Sequence, residues 1–417
     1  MKNILLRGGR RLTGTLGIHG AKNAILPILS ASLLAEEPVI LNNCPRLLDI
    51  DNMLEILRRL GCRAEQEGDR IYIDSSDADG YRIDEQLSRR LRASLFILGP
   101  LIGRFGKALL SYPGGCDIGM RPIDLHLKGL RAMGARIDEQ FGYISCEAVR
   151  LRGCEIYLDY PSVGATENLM MAAAAAEGET VINNPAKEPE IGELARFIEE
   201  LGGQVSFLGG NSLVIKGARL SGGEFTPMAD RIAAGTYMIA AAITGGDVAV
   251  TGISPEYLRS LINKLSECGC EVECASDRIR VSAPWRLKSP RIIETMPYPG
   301  FPTDLQAQMM ALQTVSEGTC ILVENVFENR LKHAGELIKM GADITVKGRT
   351  AVIKGVYELY GANVNAYDLR GGAAMVLAGL RARGVTRVMD AGYIDRGYYR
   401  LEENLSKLGA DIKTAED

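Results

Sequence analysis

A repeated pattern of helices ending at glycine constrains this chain more than any other feature. Amphipathic segments end at glycines spaced 67 to 73 residues apart, at Gly61, Gly134, Gly202, Gly269, Gly341 and Gly409. Glycine tolerates the left-handed conformation that terminates many helices, so each of these is predicted to follow a helix C-terminus. A fixed period of this length indicates one structural unit used six times.

A second kind of helix is predicted upstream of each glycine stop. These segments are apolar on nearly every face, and they span residues 24–35, 93–104, 167–177, 232–244, 305–316 and 371–381. A helix that is apolar all round is buried all round. Each is followed by a short strand, then the amphipathic helix, then two or more strands. The pattern therefore predicts a mixed α/β (α+β) fold with buried helices.

The ends of the chain indicate how the six units are grouped. The last unit stops near residues 410–413 with almost no strand tail, whereas residues 1–20 look like such a tail. We therefore expect the N-terminal segment to complete the last unit. The 417 residues suit two or three domains. We predict a first domain at 20–229, with a cysteine loop at about 112–122, and a second domain formed by 1–19 with 230–417.

Composition excludes several classes of function. The net charge of −4 argues against a nucleic-acid-binding protein. The three histidines (His19, His126 and His333) have no metal-ligand spacing, so no metal site is expected. The N-terminus lacks a secretory signal pattern, and no apolar run is long enough to span a membrane. Nine cysteines without such a signal indicate reduced thiols and a cytoplasmic location.

Polar and cationic residues gather where the buried helices begin. Lys22, Asn23, Arg92, Asp304 and Arg370 all lie at such starts. Helix N-termini favour anions, so cations there predict a strongly anionic ligand. An ordinary alternative is that the Asp, Asn, Ser and Thr side chains only cap their helices.

Two further sets of residues are candidates for a functional role. Cys116 lies on a loop rich in glycine and proline, where it is a candidate reactive thiolate or a passive loop thiol. The other set is 324–330 and 394–397, which follow strands; Asp395 and Arg396 there could be only a surface charge pair. Cysteines in apolar segments are expected to be inert packing residues: Cys44, Cys62, Cys146, Cys154 and Cys320.

Nine short motifs, in order along the whole chain, carry a resemblance. They are Gly20–Asn23, Pro113–Cys116, Arg121–His126, Ser162–Thr166, Glu188–Glu190, Phe301–Asp304, Phe327–Arg330, Asp368–Arg370 and Ile394–Gly397. Together they resemble the UDP-N-acetylglucosamine 1-carboxyvinyltransferase family of enolpyruvyl transferases. The resemblance implies a two-domain inside-out barrel of six βαβαββ repeats, three per domain, around buried central helices.

The resemblance also implies an activity. Members of this family move the enolpyruvyl group of phosphoenolpyruvate to the 3′-hydroxyl of UDP-N-acetylglucosamine and release phosphate. This addition–elimination reaction is the first committed step of peptidoglycan synthesis, and it needs no metal or organic cofactor. Both implied partners are therefore small-molecule substrates, and no particular oligomer is required.

Roles for individual residues follow from the resemblance alone. Cys116 would act on the acid side of the reaction or add to phosphoenolpyruvate, and Asp304 would accept the hydroxyl proton. Lys22 and Arg396 complete the implied catalytic set, and Asn23 would position the intermediate. Cations implied to hold the anionic groups are Lys22, Arg92, Arg121, Arg370 and Arg396. Substrate-pocket residues implied are Arg121, Pro122, Ile123, Asp124, Leu125, Ser162, Val163, Gly164, Val326 and Arg330.

Departures and alternatives remain. Tyr393 stands where the family often has His, and Ala233–Ala234 and Gly371–Gly372 are unusual. One alternative is a 5-enolpyruvylshikimate-3-phosphate synthase, but that family lacks the cysteine loop and has Ser in place of Asn23. Another is a non-catalytic regulator that binds the nucleotide sugar. It would be expected to lose catalytic residues, and Lys22, Cys116, Asp304 and Arg396 are all present.

Overall fold

The computed structural model describes residues 2–83, 85–90, 92–112 and 123–416, with the side chains of 89, 90, 92, 93 and 416 excepted. The α-helices are α1 Lys22–Ala31, α2 Leu48–Arg59, α3 Glu85–Arg90, α4 Leu98–Phe105, α5 Asp124–Ala132, α6 Val163–Ala174, α7 Pro189–Glu200, α8 Arg231–Thr244, α9 Arg259–Glu267, α10 Gln306–Gln313, α11 Ala334–Lys339, α12 Leu369–Arg381 and α13 Leu401–Lys407. None of these described helices is both long and apolar enough to cross a membrane.

The strands alternate with these helices. They are β1 Lys2–Arg7, β2 Thr13–Gly17, β3 Val39–Leu41, β4 Arg63–Glu67, β5 Arg70–Asp74, β6 Lys107–Ser111, β7 Arg136–Gln140, β8 Tyr143–Glu147, β9 Glu155–Tyr157, β10 Glu179–Asn183, β11 Gln204–Leu208, β12 Ser212–Lys216, β13 Gly223–Phe225, β14 Asp247–Thr251, β15 Glu271–Cys274, β16 Arg278–Ser282, β17 Ile292–Glu294, β18 Thr319–Val323, β19 Asp343–Lys347, β20 Thr350–Lys354, β21 Asn363–Asn365, β22 Val385–Met389 and β23 Asp411–Glu416.

The described chain divides into two compact units. One is formed by the described residues of 20–112 and 123–228, which we call the continuous unit. The other combines residues 2–19 with 229–416, and we call it the discontinuous unit. Because the N-terminal segment packs with the C-terminal half, the discontinuous unit contains both ends of the chain.

Each unit contains three small open sheets. Those of the continuous unit have the strand orders β13-β3-β5-β4, β6-β8-β7 and β11-β12-β10-β9. Those of the discontinuous unit are β15-β16-β14-β2, β17-β18-β20-β19 and β21-β22-β1-β23. In the described part of the chain none of these sheets closes on itself. The predicted inside-out barrel therefore contains no closed β-barrel among the described strands.

Short edge strands join consecutive sheets within a unit. In the discontinuous unit β17 pairs in parallel with β18 and β21 with β22, while β2 reaches back to β14. In the continuous unit β9 pairs with β10, and β13 returns to β3. A strand that follows one sheet along the chain thus lies at the edge of another sheet. β13 is the edge strand beside β3, and β2 is the edge strand beside β14.

The N-terminal segment completes two sheets. β1 lies antiparallel between β22 and β23, with Ile4 opposite both Val388 and Thr414. β1 therefore supplies a strand to the sheet that follows α12. β2 pairs in parallel with β14 and so belongs to the sheet that follows α8, just as β21 pairs in parallel with β22.

The predicted buried helices are present with one change. α6, α8 and α12 are buried along almost their whole length, as their Ala-rich, apolar sequences require. The predicted helix at 93–104 is divided into a 3₁₀ helix, Arg92–Ile97, and α4. The six predicted glycine stops are confirmed, with φ angles between +94° and +101°.

Candidate functional site

A carboxylate held by two buried arginines is the centre of the discontinuous unit's candidate site. Arg330 Nη2 donates to Asp304 Oδ1 at 2.6 Å, and Arg370 Nη2 donates to Asp304 Oδ2 at 2.9 Å. Both guanidinium side chains are only 4% exposed, whereas that of Asp304 is 26% exposed. The carboxylate therefore faces outward from a fixed cationic base.

Local structure places these three side chains. Asp304 lies in the 3₁₀ turn Thr303–Leu305, directly before α10. Arg370 lies in the first turn of α12, whose N-cap, Asp368, accepts the backbone N–H groups of Arg370 and Gly371. The capped start of α12 fixes the backbone of Arg370, and its side chain reaches Asp304.

Arg370 keeps unused hydrogen-bonding capacity. Its Nη1 is buried with no hydrogen-bond partner among the described residues. Burial alone would lower the pKa of Arg370, but the negative charge of Asp304, together with Tyr398 and Asp230, outweighs it and raises the pKa above its usual value. A guanidinium that is permanently charged and has a spare donor is suited to holding an anion.

Glu324 organises the loop that contains Val326. Its Oε1 accepts from Thr295 Oγ1 and Val326 N, both at 2.9 Å, and from Phe327 N at 3.1 Å. Its Oε2 accepts from Thr303 Oγ1 at 2.9 Å, and Thr303 in turn accepts from Arg330 Nη1. A fully buried carboxylate thus connects the Val326 loop to the turn that contains Asp304. Glu324 was not among the predicted site residues, although it lies in the segment 324–330.

Arg396 lies in the segment that follows β22. It ends the 3₁₀ helix Ala391–Arg396 and is half-buried. The neighbouring Asp395 pairs with Lys2 Nζ at 2.5 Å, and Lys2 also reaches Glu402 at 2.8 Å. The N-terminal strand therefore anchors the segment in which Arg396 lies.

In the continuous unit, Lys22 forms a buried ion pair. Its Nζ lies 3.2 Å from Asp49 Oδ2, and the two side chains are 11% and 4% exposed. Lys22 is the first residue of α1, which has no side-chain N-cap. Asp49 was not predicted, but there was a signal, since it is an acid on the buried stripe of α2 with Met53 and Ile56. Asn23 is half-buried beside Lys22.

The starts of α5 and α6 hold the other predicted pocket residues of this unit. Ser162 caps α6 by accepting from Ala165 N, so the capping interpretation applies to it, as it does to Asp230 and Asp368. Val163 and Gly164 are half-buried behind it, and a Cβ on Gly164 would meet the His126 and Phe96 rings at 3.3 and 3.4 Å. Three further predicted residues lie at the α5 start: Ile123 (buried), Asp124 (exposed) and Leu125 (half-buried).

An unpredicted acid lies one turn further along α6. Glu167 is 1% exposed, and neither carboxyl oxygen has a hydrogen-bond partner among the described residues. Burial, reinforced by Glu190 and Glu188, raises the pKa of Glu167 well above 4.5. Burial therefore favours the neutral form of the Glu167 carboxyl. The sequence did contain a signal for this acid, because Glu167 is a lone charged residue within a mostly apolar helix.

Some predicted residues cannot be placed. Cys116, Arg121 and Pro122 lie outside the described residues, and for Arg92 only the backbone is described, at the start of its 3₁₀ helix. The cysteines predicted to be inert include several whose pKa is raised to about 12 by burial, namely Cys44, Cys146 and Cys320. Such thiols carry almost no thiolate at neutral pH, so the expectation that these three are inert is confirmed.

Comparison with known proteins identifies the family. The family described as EPSP synthase (3-phosphoshikimate 1-carboxyvinyltransferase) matches residues 6–405. UDP-N-acetylglucosamine 1-carboxyvinyltransferase 2 of Caldanaerobacter subterraneus subsp. tengcongensis is 51% identical over 413 residues, which is 99% of each chain. UDP-N-acetylglucosamine 1-carboxyvinyltransferase 1 of Symbiobacterium thermophilum is 49% identical over 99% of this chain and 95% of the relative.

Solved structures agree on the fold. The enolpyruvyl transferase NikO from Streptomyces tendae has a TM-score of 0.90 at 26% identity, covering 99% of both chains. EPSP synthase from Acinetobacter baumannii has a TM-score of 0.75 at 20% identity over the full length of both chains, which shows the fold alone. The resemblance inferred from the nine sequence motifs is confirmed: the chain has the two-domain α/β fold of enolpyruvyl transferases and belongs to the UDP-N-acetylglucosamine 1-carboxyvinyltransferase family.

Proposed function

We propose that this chain transfers the enolpyruvyl group of phosphoenolpyruvate to the 3′-hydroxyl of UDP-N-acetylglucosamine and releases phosphate. In a cell this is the first committed step of peptidoglycan synthesis. The observation that carries the proposal is the Asp304 carboxylate, held on both oxygens by Arg330 and Arg370, in a chain 51% identical to a relative with that name. A fixed carboxylate is what removal of a hydroxyl proton requires.

The reaction balances in two steps. In the addition, the sugar 3′-oxygen bonds to C2 of phosphoenolpyruvate as its proton leaves, and another proton joins C3. In the elimination, the C2–O bond to phosphate breaks, phosphate departs with the bonding electrons, and C3 loses a proton to restore the double bond. Asp304 is proposed as the acceptor of the hydroxyl proton. Cys116 is proposed on the acid side, or as a covalent partner of phosphoenolpyruvate.

Asp304 has the hydrogen-bonding capacity for that role. Each carboxylate oxygen has two acceptor directions, and Arg330 and Arg370 together occupy one on each oxygen. The Asp304 side chain is 26% exposed, so its carboxylate is accessible to a substrate hydroxyl. Arg330 is held by both Thr303 and Asp304, so we assign it to positioning Asp304 as well as to the substrate pocket.

The remaining cations are proposed to hold the anionic groups of the substrates. Phosphate and carboxylate both need fixed positive charge, and the buried Lys22 and Arg370 already lie at helix starts where anions are favoured. The other cations proposed for this role are Arg92, Arg121 and Arg396. Asn23 is proposed to position the intermediate. The nucleotide-sugar contacts proposed are Arg121, Pro122, Ile123, Asp124, Leu125, Ser162, Val163, Gly164 and Val326.

The finer description of the fold is also proposed. Three sheets and three sets of helices in each unit support two domains of three βαβαββ repeats around buried helices. The domain limits proposed from the sequence are 20–229, and 1–19 with 230–417. We also propose that the enzyme works in the cytoplasm, where both small-molecule substrates are made.

Phosphate release tests the activity directly. Purified protein given both substrates should release phosphate, and Cys116→Ser should suppress turnover. The matched control is Cys274→Ser, because Cys274 is exposed and lies in the edge strand β15 of the discontinuous unit. Its activity should match that of the unmodified chain. Tight binding of UDP-N-acetylglucosamine without phosphate release would overturn the proposal and favour a regulatory protein.

Two controls separate related interpretations. Replacing the nucleotide sugar with shikimate 3-phosphate should give no phosphate release, and release would identify a shikimate-type synthase instead. Incubation with the epoxide fosfomycin should add one adduct, which Cys116→Ser should remove. An unchanged mass in the unmodified chain would refute the assignment of a reactive thiol to Cys116.

A further inference from the structure

A patch of three arginines and two aromatic rings lies on the discontinuous unit, away from the Asp304 cluster. We call it the Trp285 patch: Arg11, Trp285, Arg286, Tyr357 and Arg381. Arg381 ends α12, whereas Arg370 lies near its start, so about 16 Å of helix separates the two along its axis. The proposed catalytic residues therefore do not account for the patch.

Trp285 is the only tryptophan in the chain. Two of these arginines lie near its indole ring. The Cζ of Arg381 lies 3.5 Å from a Trp285 ring centroid, and that of Arg11 lies 6.0 Å away. The indole is nevertheless 41% exposed. Contacts of this kind between a cation and an aromatic ring are attractive, and they hold the guanidinium groups in place.

Tyr357 offers a second, more open ring. It is 80% exposed, and the Cζ of Arg286 lies 5.5 Å from its centroid. Arg286 follows Trp285 directly in the chain, and its charge acts on Arg381. The two rings and the arginines therefore belong to one surface.

The positive charge of the patch is not neutralised by the described chain. None of Arg11, Arg286 and Arg381 has a carboxylate within ion-pair distance among the described residues, although the structure records such pairs for many other arginines. Glu358 acts on Arg381 from further away, but it lies 3.8 Å from Arg383. Arg381 Nη1 is buried and has no hydrogen-bond partner in the described part of the chain.

This arrangement makes the charged form of Arg381 less favourable. Burial, and then the like charge of Arg286, lower the pKa of Arg381 to about 10. A cation in the last turn of α12 is favourable by itself, because helix C-termini are partly negative. That ordinary explanation covers Arg381 but not Arg11, between β1 and β2, or Arg286, between β16 and β17. A bound anion would relieve the repulsion between Arg286 and Arg381.

We propose that the Trp285 patch binds a nucleotide. Arg286 and Arg11 would hold its phosphate groups, close to the positive charge of Arg381. Its planar base would stack on the exposed ring of Tyr357. Arginine is suited to phosphate because its planar fork matches phosphate oxygens. Aromatic rings bind any base through its flat face.

The single tryptophan makes this binding directly measurable. The probes are adenosine triphosphate and inorganic pyrophosphate, titrated into the intact protein while Trp285 fluorescence is followed, with excitation at the red edge of its absorption. We expect a saturable change, with pyrophosphate binding about tenfold more weakly because it lacks a base to stack. Tyr357→Leu should reduce the affinity for the triphosphate to that for pyrophosphate.

Charge-removing variants supply the decisive comparison. Arg286→Ala should weaken triphosphate binding about tenfold, since it removes one cation at the phosphate groups. Arg259→Ala removes the same charge from an exposed position on α9 of the same unit and should leave binding unchanged. No saturable change below millimolar concentration would overturn the proposal, as would equal binding to Arg286→Ala. Equal affinities for the two probes would overturn the base-stacking part.

Discussion

Arg330 donates to Asp304 across 2.6 Å, from a guanidinium that is 4% exposed to a carboxylate that is 26% exposed. The difference in burial sets what each residue can do. The arginine is held within the protein and cannot move without breaking its contact with Thr303. The aspartate side chain is partly exposed, so it can be both fixed in position and accessible to a substrate.

Asp304→Asn should abolish most turnover and also weaken the fold. The amide keeps the shape but removes the charge between two buried arginines, so we expect a loss of about 2–3 kcal/mol in the free energy of unfolding. Turnover should fall by about 10²–10⁴, the usual contribution of a general base. Phosphate release and urea unfolding measure the two effects.

Asp343→Asn is the control for that substitution. Asp343 is exposed in β19 of the same unit, so neither stability nor turnover should change. Undiminished phosphate release by Asp304→Asn would show that another group accepts the hydroxyl proton.

The Lys22–Asp49 ion pair should couple strongly in a double-mutant cycle. Because both side chains are buried, Lys22→Met and Asp49→Asn should each cost about 3 kcal/mol of unfolding free energy. The combined variant should cost less than the sum, with a coupling of about 1–3 kcal/mol.

The matched pair for this cycle is Arg59 with Glu55 on the exposed face of α2, at 3.0 Å. Its coupling should be about 0.5 kcal/mol or less, since both side chains are partly or largely exposed. Equal couplings for the two cycles, measured by urea unfolding, would contradict the role assigned to burial.

Glu167 should make the protein less stable as the pH rises. Burial raises the pKa of its carboxyl above 4.5 in the folded state, so the folded chain binds more protons there than the unfolded chain. Stability is therefore lost as the pH rises from about 4.5 toward the folded-state value, by up to about 1.4 kcal/mol per pH unit. Glu167→Gln cannot ionise and should lose this part of the slope.

Urea midpoints at a series of pH values from about 5 to 8 measure the effect. The difference between Glu167→Gln and the unmodified chain should grow in favour of the variant as the pH rises. Glu200→Gln, at an exposed position of α7, should give a difference that does not vary in that way. A constant difference for Glu167→Gln would mean that its carboxyl titrates alike in the folded and unfolded chains.

Two glycines of α7 should respond oppositely to alanine. Gly202 follows the helix with a φ of +95°, where a Cβ is strained even though no atom lies within 4 Å of its position. Gly202→Ala should therefore cost about 1 kcal/mol. Gly192 lies inside the helix, also with open space around it, and Gly192→Ala should stabilise the chain by about 0.5–1 kcal/mol. Thermal unfolding of both variants tests the sign, which would be the same if backbone conformation did not matter.

Much of the architecture could be predicted from local chemistry. The stops at Gly61 and its five equivalents were readable because only glycine adopts a positive φ at little cost. The buried helices were readable because helices such as α6 have no polar face. The motif residues pointed to the family, since their types and order along the chain are specific.

Other features depend on contacts between distant parts of the chain. Nothing local shows that β2 pairs with β14 across 230 residues of sequence rather than joining β1, because either sheet could accept a short edge strand. The division of the predicted helix 93–104 into a 3₁₀ helix and α4 could not be predicted either, since the composition of the segment suits a continuous apolar helix.

Residue types along the chain pointed to Asp304 and Arg370, because charged groups at the starts of apolar helices need a reason to be there, and the family resemblance added Arg330. Only the folded chain shows that both arginines hold the one aspartate, that Asp49 is the partner of Lys22, and that Glu324 supports the Val326 loop. The physical reason is that ion pairs form between side chains that folding brings within about 4 Å. Sequence periodicity determines which face of a helix is buried, but it does not determine which buried charge that face will meet.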